Sequence, residues 1–153
     1  MLRTIVGYRK DVEDHWVALL DCGHPHHVRD HPPFKSRPWV LNAEGRAAHV
    51  GTPLNCVRCE SFEMPSHFVA FKQTAVFTQD TLPEGLRHEH STRRGVWARI
   101  VVHEGRLRYR VPTLAMDDVL TPDHPGLVVP EIRHSVEPLG KVEFFLEFFA
   151  EPK

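Results

Sequence analysis

The sequence lacks what a membrane protein or a nucleic-acid binder needs. A spanning helix takes about 20 consecutive apolar residues, and the longest apolar stretches, Trp16 to Leu20 and Phe144 to Phe149, are far shorter or broken by charge. No membrane partner is expected. A signal peptide is not expected either, because Tyr8, Arg9, Lys10 and Asp11 interrupt the start before an apolar region can form. Neither sign of charge dominates, since 19 Lys and Arg face 20 Asp and Glu. Without a basic footprint, nucleic acid is not expected as a partner. Cysteine is scarce: three residues cannot all pair within one chain, and the spacing of Cys56 and Cys59 suits a metal knuckle or a redox pair better than a structural disulfide. A reducing cytoplasm is the expected compartment. Internal repeats, heptads and low-complexity segments are also absent.

What is present is a core and an excess of histidine. Hydrophobic residues make up 41% of the chain, with nine Phe and three Trp, which is enough to fold and excludes wholesale disorder. The unusual counts are 12 His and 13 Pro. Histidine is the commonest metal ligand and the side chain that titrates nearest neutrality, so function is sought there first. All three cysteines precede residue 60, with His15, His24, His26, His27, His31 and His49, and the later sequence has no cysteine. The composition changes across Glu60 to His67, where Pro65 breaks any continuing element. This predicts two domains, residues 1–64 as a Cys/His zinc-binding module and residues 65–153 as a second fold. A module of the first size commonly needs a metal to supplement its core.

The expected fold class is mainly β. Thr4 to Tyr8 and Trp16 to Asp21 read as a hairpin around the polar turn Lys10 to Asp14, and Trp39 to Leu41 reads as a further short strand after a proline-rich loop. In the second half, apolar runs recur at Ala75 to Thr78, Val96 to Val102, Leu107 to Val111, Gly126 to Val129 and Val142 to Phe149, the pattern of a barrel or sandwich. His103-Glu104-Gly105 looks like the turn of a hairpin joining Val96 to Val102 with Arg106 to Val111. Alternation puts Leu107, Tyr109 and Val111 on one face of its second strand. The last strand carries phenylalanine on both faces, so Phe145 and Phe149 are expected under a partner subunit in a homodimer formed through the barrel.

Structural zinc wants four soft or borderline ligands in a tetrahedron, usually as two close pairs. Cys56 and Cys59 form one pair and Cys22 with His24 offers the other, with His26 and His27 close enough to substitute. This predicts a zinc-ribbon-like module. A redox pair is the alternative reading of Cys56 and Cys59, although the βαβ context of thioredoxin-like motifs is missing. Unrelated thiols and surface histidines are the plainest one.

Residues 4 to 60 resemble a bacterial domain family of unknown function. The resemblance rests on Ile5-Val6-Gly7-Tyr8, Trp16-Val17-Ala18-Leu19-Leu20, Cys22-Gly23-His24-Pro25-His26-His27-Val28-Arg29, Pro32-Pro33, Arg37-Pro38-Trp39-Val40, Glu44-Gly45-Arg46 and Cys56 to Cys59. His26 stands where the family has Gln, and Asp30 where it has His. That departure makes His24 the expected fourth ligand, beside Cys22, Cys56 and Cys59, with His27 as the alternate.

In the second half, His88-Glu89-His90 places two imidazoles on one side of an extended segment, and His134 follows later. Cupin barrels hold a metal with such an H-x-H pair and a later histidine, though Gly95 occupies the region where their glutamate belongs. Ordinary hydrogen bonding in a barrel core is an equal alternative for His90 and His134. Residues 66 to 150 resemble the small cupin domain at the start of tellurite-resistance TehB proteins. The matching segments are Phe77-Thr78, Leu82 to Leu86, His90-Ser91-Thr92-Arg93, Gly95 to Ala98, Glu104 to Tyr109, Pro130, His134 to Pro138 and Phe145 to Phe148. The resemblance implies a cupin-like β-barrel, or double-stranded β-helix, and ranks His90 and His134 above His88 as pocket residues. Glu147 is a candidate carboxylate for a second, divalent metal in the barrel. Methyl transfer is not expected, because the sequence stops soon after its last predicted strand and contains no Gly-rich nucleotide loop.

Arg93, Arg94, Arg99, Arg106, Arg108 and Arg110 form a cationic stretch suited to an oxyanion if it is not merely solvated. The expected function is a zinc-stabilised cupin-type binding or stress-response protein, linked by the family name to tellurite or oxyanion resistance and holding a small ligand or metal in the barrel. The alternatives are a metal-dependent, oxygenase-like cupin enzyme using His90 and His134, and a redox sensor at the cysteines.

Overall fold

A computed structural model describes residues 1–28 and 37–153. The chain divides into two compact units, Met1–Ser61 and Phe62–Lys153. The proline-rich loop, with Arg29, Asp30, His31, Pro32 and Pro33, lies outside the described residues. Among the described residues, no helix is long and apolar enough to cross a membrane.

In the first unit, β1 (Leu2–Lys10) and β2 (Trp16–Leu20) form the expected antiparallel hairpin. Its turn is shaped by Asp11, whose carboxylate accepts the backbone N–H groups of Glu13 and His15, both at 2.9 Å. Those bonds and the facing histidines hold the Asp11 carboxyl below its ordinary range, despite some loss of hydration. The short strand β3 (Pro25–His27) pairs with β2. Helix α1 (Ala43–His49) follows, then β4 (Pro53–Asn55), which pairs with β1, and one helical turn, α2 (Val57–Glu60). The sheet order is β3-β2-β1-β4.

The segment Pro38–Leu41 is a 3-10 turn and not the expected strand. The proline at its start supplies no N–H to a ladder and is tolerated at the first position of a helical turn. This turn meets α1 closely. A Cβ built on Gly45 would lie 2.1 Å from the Trp39 carbonyl oxygen, so only glycine fits there. The next residue, Arg46, donates to the Val40 carbonyl at 2.8 Å, and its guanidinium stacks 3.8 Å from the Trp16 ring centre. His49 stacks on Trp39 at 3.7 Å. The R-P-W-V and E-G-R segments are therefore two sides of one contact.

The second unit is built on two long strands. Between Phe62 and its first long strand come β5 (Val69–Gln73), β6 (Phe77–Thr78) and a single turn, α3 (Glu84–Arg87). Then β7 (Trp97–Val111), β8 (Met116–Leu120), β9 (Gly126–Val128) and β10 (Ser135–Ala150) complete it. The order is β5-β10-β7-β8, with β6 also on β10 and β9 also on β7. All pairings are antiparallel.

The expected hairpin at His103-Glu104-Gly105 does not exist, because β7 runs straight through it. Gly105 has φ +84°, and a Cβ there would lie 2.0 Å from the Lys141 carbonyl oxygen. The glycine permits a close crossing with β10, where the register shifts between Pro138 and Val142. The expected inward face holds: Leu107, Tyr109 and Val111 are buried together with Val142, Phe144 and Leu146. On the opposite face of β10, Phe145 packs edge-on to His103 at 5.1 Å, and the Arg99 guanidinium lies 5.0 Å from the Phe149 ring centre. Both rings find contacts within the chain.

Candidate metal centre and candidate pocket

The topology of the first unit delivers two ligand pairs to one end of its sheet. Strand β1 is flanked by β2 and β4, and register puts Leu20 opposite Ile5 and Asn55 opposite Leu2. The chain leaves β2 through a tight turn, with Gly23 at φ +95°, that presents Cys22 and His24. It leaves β4 at Cys56, which caps α2, and Cys59 lies one turn on. Cys22, His24, Cys56 and Cys59 are all buried, and their donor atoms lie within 4.8 Å of one another.

The separations fit a tetrahedron. Zinc bonds of about 2.3 Å to sulfur and 2.0–2.1 Å to nitrogen imply edges of roughly 3.8 Å between sulfurs and roughly 3.6 Å between sulfur and nitrogen. Here the Cys22 and Cys56 sulfurs are 3.9 Å apart. His24 Nδ1 lies 3.4, 3.3 and 3.7 Å from the sulfurs of Cys22, Cys56 and Cys59. Hydrogen bonds from the Cys22 and Cys59 thiols and from His24 push the Cys56 thiol far below its ordinary range. A thiolate is the form a metal takes. Three cysteines and one imidazole make a closed donor set that could hold zinc. His27, the alternate, is exposed and pairs with Asp11 at 3.2 Å instead.

The second unit contains a pocket of about 560 Å³. Phe71, Phe77, Leu86, Val128, Leu146 and Phe148 form much of its wall, and His90 and His134 face it. The two histidines are joined as an antiparallel bridge, with His90 N–H to His134 O at 3.0 Å and His134 N–H to His90 O at 2.8 Å. Their rings lie 4.2 Å apart, and the Tyr109 ring stands edge-on to His134 at 5.8 Å. Nδ1 of His90 is 3.3 Å from the His88 carbonyl and Nδ1 of His134 is 3.2 Å from the Ile132 carbonyl. A carbonyl can only accept, so each Nδ1 carries a hydrogen, and in a neutral ring Nε2 is then left as an acceptor. Burial, with the neighbouring His90 adding to it, pushes the His134 pKa down to about 4.

The barrel metal set is corrected by this geometry. His88 is exposed and pairs with Glu84 at 3.2 Å. Glu147 lies between the pocket residues Leu146 and Phe148 on β10, so the pleat turns it to the other face, toward Arg99 at 3.8 Å. Among the described residues, no group of three His, Cys, Asp or Glu donors converges in the second unit. Half of the cationic stretch, Arg99, Arg108 and Arg110, meets carboxylates from outside it. Asp117 takes a bidentate contact from Arg108 at 2.9 and 2.7 Å, and Arg110 approaches Asp117 and Glu137 at 3.7 and 3.5 Å. Sequence reasoning missed the aromatic wall, whose members Phe71, Phe77 and Phe148 come from three strands. Arg93, named with the cationic stretch, lines the pocket.

Comparison with known proteins matches each unit to a family. Residues 6–63 match a family described as a protein of unknown function, DUF3565. Residues 72–146 match the TehB-like domain. Both resemblances read from the sequence are thereby supported, but neither match identifies a small cupin family. Over 94 residues the chain is 30% identical to a probable S-adenosyl-L-methionine-dependent methyltransferase TehB of Haemophilus influenzae, covering 58% of this chain and 33% of the relative. The counterpart in a second H. influenzae strain is 29% identical over the same length, again covering 58% and 33%. The chain thus spans about a third of the length of these relatives. The crystal structure of TehB from H. influenzae superposes with a TM-score of 0.52 at 28% identity, covering 56% of this chain and 32% of that one. A protein of Escherichia coli strain K12 superposes with a TM-score of 0.55 over 60% of this chain and 89% of its own, and at 22% identity it shows the fold alone.

The named relatives overturn the expected function. Proteins described as methyltransferases conflict with a cupin-type binding or stress-response role, and with its oxygenase-like alternative.

Proposed function

We propose that this protein is a zinc-stabilised accessory of S-adenosylmethionine-dependent methyl transfer, whose second unit holds the small molecule that receives the methyl group. The observation that carries this reading is the position of the pocket. Its lining runs from Phe71 to Phe148, almost the same span as the TehB-like match at residues 72–146. The relatives that share this span are named for methyl transfer. The pocket wall is mainly apolar with two imidazoles facing it, which suits an organic acceptor better than the charged sulfonium and ribose of S-adenosylmethionine. The cofactor is therefore assigned to the catalytic part of the system, and the acceptor to this unit.

Two finer readings accompany it. The second unit is read as a cupin-like barrel, with β7 and β10 each long enough to serve both of its sides. Thiols gathered as metal donors suit a reducing compartment such as the cytoplasm.

Two measurements test the proposal. Metal analysis of the purified protein should give one zinc per chain, lost in Cys56→Ala, and full zinc content in that variant removes the metal reading. In calorimetry, S-adenosylmethionine alone should not saturate the pocket. Saturation by it, with shifts of the His90 and His134 ring resonances, would show a cofactor site and end the accessory reading.

A further inference from the structure

The floor and wall of the pocket specify more than a small molecule. We infer that the ligand is an aromatic molecule bearing a hydroxyl or thiol, which donates its hydrogen to the imidazole Nε2 of His134, beside His90, while its ring lies among Phe71, Phe77 and Phe148. This rests on the acceptor-binding reading above and names the class of acceptor.

Three observations lead there. Both Nδ1 atoms are committed to backbone carbonyls, so a neutral ring offers a guest its Nε2 as an acceptor. Two of the three nearby hydroxyls are engaged: Thr92 donates to the Val96 carbonyl at 2.7 Å, and Thr74 donates to the Ala75 carbonyl at 2.9 Å while accepting from Leu146 N–H at 3.0 Å; the third, on Ser91, belongs to an exposed residue. An anion needs converging donors, and the deep part of this pocket lacks them; the cations at it, Lys72 and Arg93, are exposed at the rim. Finally, about 560 Å³ is far more space than an inorganic oxyanion fills, and it falls in the range of organic ligand sites. His134 also stays uncharged at neutral pH, which keeps its Nε2 an acceptor. A hydroxyl or thiol is also a group that can receive a methyl group, in which case its hydrogen leaves as a proton.

The test is a calorimetric comparison of 2-naphthol with 2-methoxynaphthalene, its methyl ether, on the full protein. The two share the ring system but only the first has a donor, and a site whose polar atoms demand a partner discriminates strongly. The phenol should bind at least tenfold more tightly. His134→Gln and the less buried His90→Ala should each reduce that ratio, and ¹⁵N spectra should show the Nε2 resonances moving on addition of 2-naphthol to the unaltered protein. Equal affinity for phenol and ether, or unmoved Nε2 resonances, overturns the inference. Displacement of bound 2-naphthol by S-adenosylmethionine overturns the acceptor-binding reading itself.

Discussion

The buried histidine of the pocket illustrates how one side chain couples site and stability. An unfolded histidine titrates near 6.5, whereas His134 in the fold titrates at about 4. Between those values the unfolded chain binds a proton that the folded chain refuses. The contribution is complete above about pH 6.5 and is lost as the pH falls toward 4, on the order of 3 kcal/mol in all. Urea unfolding at pH 7 and pH 4.5 should show this decline, and His134→Gln should flatten it. Tyr109 makes a second prediction. Its hydroxyl donates to the Leu127 carbonyl at 2.8 Å from a position 1% exposed. Tyr109→Phe leaves that carbonyl without its donor and should cost about 1–2 kcal/mol in chemical denaturation. Tyr109 was legible as an inward residue because alternation along a strand is a local signal. The other histidines were not legible: His49 stacks on Trp39 and His124 bonds Asp118 at 2.6 Å, and nothing in their sequence neighbourhood separates them from metal ligands.

At the level of elements, the structure turns on where glycine allows backbones to meet. Gly105→Ala combines a left-handed backbone with a Cβ that would overlap the Lys141 carbonyl, and should destabilise the protein by more than about 2 kcal/mol. Gly85→Ala, in α3 with open space around it, should change stability by less than about 1 kcal/mol. Thermal unfolding of the pair checks both. Gly105 also explains the misread hairpin. A histidine, a glutamate and a glycine between two apolar runs have the composition of a turn. What decides against one is the pairing of β7 with a strand more than thirty residues later in the chain, and no local pattern reports that. The hairpin of β1 and β2 was legible for the opposite reason, since its turn is fixed by Asp11 and its own neighbours. The ligand pairs were legible as pairs, but their convergence needed β1 between β2 and β4.

For the whole molecule, the two units depend on different sources of stability. The first gathers its metal donors at one end of a small sheet, and the second rests on a continuous apolar core. Removing zinc with a strong chelator should therefore unfold the first unit alone. Trp16 and Trp39 report on that unit and the buried Trp97 on the other, so the indole N–H signals of the first two should collapse while the third stays dispersed. Loss of all three would show that the units unfold together. The long strands carry a further consequence for synthesis. β5 and β6 find their ladder partner only in β10, and β7 pairs with it along most of its length. A ribosome that has made residue 120 has released a complete first unit, but a second in which β5 and β6 have nothing to pair with. Until Ser135 to Ala150 emerge, Phe71, Phe77 and the inward side of β7 remain uncovered, and it is in that interval that the nascent chain is most open to aggregation or to chaperones.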